Sequence, residues 1–96
     1  VAVVDLRTIA PLDWDTIAEY TRKTNRVIVA HEDQLTAGFG GEIAARIGQE
    51  CFADLDAPVT RVGALECPVA YAPSLEEVIL PGTADVLKAI RTVAAY

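Results

Sequence analysis

VIVAHEDQLTAGFGGEIAARI, residues 27 to 47, decides how this chain is read. Val27, Ile28, Val29 and Ala30 form a short apolar run rich in β-branched residues. A run with no polar alternation suits a strand buried on both faces, as in a parallel sheet. His31 and Glu32 follow at the carboxyl end of that strand, and a polar loop then carries Gly38, Gly40 and Gly41. Phe39, Ile43, Ala44 and Ile47 recur at helical spacing and make one apolar stripe. Strand, loop and helix in that order are the building unit of open α/β sheets. Ligands and partners of such sheets gather at the carboxyl ends of the strands.

Upstream, Val1–Leu6 (VAVVDL) reads as another buried strand, and Pro11 forbids its ladder from continuing. Asp13 is placed to cap a helix over about 13–23, with Trp14, Ile17, Ala18 and Thr21 on its apolar face. Asp13 and Asp15 at its start and Arg22 and Lys23 at its end complement the helix dipole. Asn25 can adopt the left-handed conformation that closes it. Downstream, Leu55–Pro58 is a turn, because the residue before a proline is pushed out of the helical region. Val59–Val62 is a third short strand, and residues 63–73 are a loop punctuated by Gly63, Pro68 and Pro73. Ser74-Leu75-Glu76-Glu77 matches a capping box and opens a short helix that stops before Pro81. Gly82 or Thr83 caps the last helix, whose stripe is Val86, Leu87, Ile90, Val93 and Ala94. Strands alternating with helices imply an α/β layer structure with a mainly parallel sheet.

At 96 residues the chain holds one domain, and its 52% hydrophobic content is ample for a core. The net charge is −6, with no basic cluster longer than Arg22-Lys23. That argues against nucleic acid and anionic membrane as partners and favours a basic protein. No apolar run approaches the ~20 residues of a membrane span, and no signal peptide opens the chain. Cys51 and Cys67 are too few and too far apart for a zinc site or disulfide framework, and read as reduced thiols of a cytoplasmic protein. The sequence has no methionine and begins strand-like, so a fragment of a longer polypeptide is expected.

Few residues offer chemistry. The glycines at 38, 40 and 41 lie where a phosphate-binding loop would, but neither G-x-G-x-x-G nor a Walker lysine is present. They are expected to permit a tight turn and close packing of helix on sheet. The alternative is a free-standing flavodoxin-like module that binds a phosphorylated ligand at Gly38–Gly41. His31 is the single histidine. A general base there would need an orienting carboxylate and a substrate pocket, and Glu32 and Asp33 are its neighbours in sequence. A histidine at a strand end is more often an interface or structural residue. No catalytic, cofactor-binding or metal-ligating set is therefore assigned. His31, Glu32, Phe39 and Tyr71 are candidate interface residues, Tyr71 because an aromatic between Pro68 and Pro73 is hard to bury. Asp54, Asp56 and Glu66, with Glu76 and Glu77 beyond, are the candidates for docking a basic partner.

Three stretches together carry a family resemblance: VVDLRTIAPLDWDTI (3–17), residues 27–47 as quoted, and LDAPVTRVGALECPVAYAPSLEEVILP (55–81). The chain resembles the C-terminal domain of the beta subunit of thiamine-diphosphate-dependent 2-oxo acid dehydrogenases, the decarboxylating components of the pyruvate and branched-chain complexes. More broadly it resembles the transketolase C-terminal domain family. The resemblance implies a three-layer α/β/α sandwich with a five-stranded mixed, mainly parallel sheet. It implies no catalytic residue in this domain, with thiamine diphosphate and magnesium held between the other domains of the parent. The implied partners are an alpha subunit and a second beta subunit in a heterotetramer, and the basic subunit-binding domain of the acyltransferase across the beta pair. The implied compartment is cytoplasm, or mitochondrial matrix in a eukaryote. Family domains begin about two strands and one helix earlier than Val1. One of those strands is central, between the equivalents of Val1–Leu6 and Val27–His31. Residues 1–96 are thus expected to be such a domain lacking its first strands and helix, with independent stability compromised by the unpaired ladders. Val27–His31 is expected to lie parallel to Val1–Leu6 and beside Val59–Val62.

Overall fold

The computed structural model describes residues 1–66 and 78–96. The first helix, α1 (Trp14–Thr24), begins where Asp13 accepts hydrogen bonds from the Thr16 N–H at 3.2 Å and the Thr16 hydroxyl at 2.7 Å. Its burial follows the stripe, with Ile17, Ala18 and Thr21 inside, and it ends at Asn25 in the left-handed region at φ 65°. Strand β1 (Ile28–Gln34) runs three residues past His31, through Glu32 and Asp33. Helix α2 (Phe39–Glu50) buries Gly40, Ile43 and Ile47, and one 3-10 turn at Phe52–Asp54 follows it. Strand β2 (Thr60–Ala64) leads to residues 65 and 66, and helix α3 (Thr83–Ala94) closes the chain. Gly82 is the α3 cap, and its N–H donates to the Asp85 carboxylate at 2.8 Å.

β1 and β2 pair in parallel, with Ile28 opposite Thr60, Val29 opposite Arg61 and Ala30 opposite Val62. Parallel neighbours need a crossover, and α2 supplies it, the unit that the 27–47 stretch announces. Ile17 and Ala18 of α1 meet Ile43 and Ile47 of α2 and Cys51, with Trp14, Val27, Val29 and Val59 packed against them. Alternation along β2 turns Val62 and Ala64 away from α2, toward the face where α3 buries Ala89 and Val93. The fold is therefore α/β, with helices on both faces of a parallel pair. Ile47 is fully buried, and a side chain of that kind contributes on the order of 2–3 kcal/mol.

Three expectations need correction. Val1–Leu6 is not a strand: among the described residues it joins no ladder, and Val1 and Val3 are 103% and 89% exposed. A β-branched run becomes a strand only when a neighbour satisfies its backbone, and among the described residues no strand lies beside it. β1 is not buried on both faces, because Ala30 is exposed and its other residues there are at most half-buried. Among the described residues its second edge is unpaired, and a cavity of about 390 Å³ separates it from residues 2–7. Ala2, Val4 and Leu6 form one wall of that cavity and Val27 to Ala30 the other, with Ile17 and Ile47 among the residues between. In α3 the inward stripe is Val86, Ala89, Ile90 and Val93, leaving Leu87 and Ala94 exposed. The capping box at 74–77, Tyr71, Cys67 and the prolines at 68 and 73 lie outside the described residues. Residues 78 and 79 are helical.

Candidate functional site

The loop after β1 is built around His31. Register between the strands is lost after Ala30 and regained at Gln34 opposite Ala64, so β1 spends two more residues than β2 over that interval. Such a bulge re-aims side chains. His31 Nδ1 lies 2.9 Å from the Asp33 carbonyl oxygen. A carbonyl can only accept, so Nδ1 is the donor in this contact. Nε2 is buried, without a hydrogen-bond partner among the described residues.

The glycines explain how the ring fits. A Cβ on Gly40 would sit 2.5 Å from His31 Nε2, and one on Gly38 would sit 2.0 Å from the Gln34 carbonyl oxygen. A Cβ on Gly63 would sit 2.8 Å from the Asp33 carbonyl oxygen. The space that absent side chains leave is thus filled by the chain's own imidazole and backbone. Gly38, Gly40 and Gly63 lie in close packing, whereas a Cβ on Gly41 would meet only Arg61 Nη1, at 3.3 Å, and no described glycine has a positive φ. His31 faces inward rather than outward, while Glu32 is exposed and Phe39 is half-buried against the core.

Two residues of the β2 side fasten this loop, and sequence reading assigned neither contact. Arg61 Nη1 donates to the Leu35 carbonyl at 2.9 Å. Glu66 accepts from the Thr36 N–H at 3.1 Å and from the Thr36 hydroxyl. Ala37 completes the turn in the left-handed region at φ 58°. The pairing partners are separated by 26 and 30 residues, so no local pattern announces them.

At the opposite end of the molecule, Asp54 and Asp56 do not stand as bare charges. Asp54 lies 3.8 Å from Arg22 and Asp56 3.7 Å from Arg26, in two partly exposed ion pairs. Asn25 joins the same loop, donating to the Asp54 carbonyl at 2.7 Å and accepting from the Asp56 N–H at 2.7 Å. Arg26 also donates to the Val93 carbonyl of α3 at 3.1 Å. Phe52 beside this loop is 76% exposed. Glu66 is thus remote from Asp54 and Asp56 along the strands, and the three do not form one cluster. Among the described residues no group of three or more His, Cys, Asp or Glu is placed to hold a metal ion. None of their helices is long and apolar enough to cross a membrane.

Comparison with known proteins bears on this arrangement. The family model for the transketolase C-terminal domain matches residues 1–86. The chain is 44% identical over 94 residues to the pyruvate dehydrogenase E1 component subunit beta of Rickettsia felis, covering 98% of the chain and 29% of that protein. It is 44% identical over 92 residues to the 3-methyl-2-oxobutanoate dehydrogenase subunit beta of Mycobacterium tuberculosis, covering 95% of the chain and 26% of that protein. Against the mitochondrial 2-oxoisovalerate dehydrogenase subunit beta 2 of Arabidopsis thaliana the identity is 39% over 94 residues, covering 98% of the chain and 26% of that protein. The chain spans less than a third of the length of these relatives. With a parallel β-α-β unit at its centre and the family model matched across residues 1–86, this chain belongs to the transketolase C-terminal domain family.

Proposed function

We propose that the chain is the assembly and docking part of the beta subunit of a 2-oxo acid dehydrogenase. The parent enzyme would oxidatively decarboxylate pyruvate or branched-chain 2-oxo acids and pass the acyl group to a lipoyl carrier. The observation that carries this reading is the strand-end loop. Its glycine space is occupied by His31 and by backbone, and Arg61 and Glu66 tie it down. A loop so filled and fastened is a preorganised contact surface, which lowers the ordering cost of association. In this reading His31 shapes the loop from within, and Glu32 and Phe39 meet an alpha subunit or a second beta subunit. Thiamine diphosphate and magnesium belong to other domains of the parent, as the family resemblance implies.

The loop at 54–56 and the region of Glu66 are the proposed surfaces for the basic acyltransferase domain. Exposed ion pairs such as Arg22–Asp54 hold by only about 0–1 kcal/mol, so a partner's cations can compete for the carboxylates. The parent works in the cytoplasm, or in the mitochondrial matrix if eukaryotic. The test is co-purification of the alpha subunit with the full-length beta subunit carrying Glu32→Lys. We expect loss of the heterotetramer, with a circular dichroism spectrum of the beta subunit unchanged. A heterotetramer that forms undiminished, or micromolar binding of thiamine diphosphate by the 96-residue chain in calorimetry, would overturn the reading.

A further inference from the structure

We draw no further inference here: the strongest candidate, the cavity of about 390 Å³ between residues 2–7 and the open edge of β1, belongs to the sheet whose central strand the family resemblance already implies.

Discussion

Gly40 and His31 show how closely a single residue choice is set by its neighbour. A methyl group at Gly40 would stand 2.5 Å from Nε2 and 2.6 Å from Cδ2 of a ring that also meets the sites of Gly38 and Gly63. The ring has little room to retreat, so Gly40→Ala should destabilise by about 1–3 kcal/mol, the usual cost of overpacking. In a His31→Ala background the contacts with the ring are gone and, of the nearest atoms, only Val29 Cγ1, 3.3 Å away, still crowds the added methyl, so the same change should cost markedly less. Urea denaturation of the four proteins gives the coupling directly. Gly63→Ala is the contrast, because its added atom meets the Asp33 backbone at 2.8 Å, and removing the imidazole cannot relieve that contact. Asp13 acts through charge instead. The Thr16 hydroxyl, and after it the Thr16 N–H, hold its carboxyl below the ordinary value of 3.8. A depressed folded value means that the stabilising effect is present above pH 3.8 and is lost as pH falls through the folded value. Asp13→Asn keeps an acceptor at the cap but does not titrate. Its melting temperature should fall less steeply with acid than that of the wild type, and parallel curves would remove Asp13 from the acid response.

Between elements, Asn25 does what an isolated helix cap does not. It closes α1 at φ 65°, donates to the Arg22 carbonyl at 3.2 Å and to the Asp54 carbonyl at 2.7 Å, and so binds the end of α1 to the loop before β2. Asn25→Gly keeps the left-handed conformation without strain but loses the amide bonds, for about 1 kcal/mol. Asn25→Ala adds the cost of a left-handed alanine, a further 1 kcal/mol or so. Chemical denaturation should therefore rank Asn above Gly above Ala. Equality of Asn and Gly would show that the link to Asp54 contributes nothing. This residue also marks the limit of what sequence made legible. The start of α1 at Asp13, its stripe and its left-handed end were readable because each rests on contacts within a few positions. The β1-α2-β2 unit was readable for the same reason, since period and glycine placement are local. The link from Asn25 to Asp54 spans 29 residues, and those from Arg22 and Arg26 to the aspartates are of similar reach, so charges read as free for a partner were already engaged. Likewise, no pattern distinguished an outward His31 from one turned into a bulge.

At the scale of the molecule, the open edge of β1 is the unsatisfied feature. VAVVDL has the composition of a strand and lies across a cavity of about 390 Å³ from β1, yet among the described residues the two share no ladder. An exposed strand edge is a template for another strand. In the beta-subunit reading proposed above, the central strand that the family resemblance implies would lie in this cavity, between β1 and residues 2–7. Val4 lines the cavity and offers a test whose sign depends on that occupant. In the 96-residue chain, Val4→Trp fills empty space and should raise the melting temperature. In the full-length beta subunit the same indole would compete with the inserted strand, and should destabilise by about 1–3 kcal/mol, the overpacking range. Hydrogen exchange adds a second readout. Amides of Ile28 to Ala30 that face the open edge should be protected in the full-length subunit and exchange readily in the short chain. A Val4→Trp change that stabilises both forms equally, with the same exchange at β1 in each, would mean that the cavity stays empty and that residues 2–7 form the true border of the sheet.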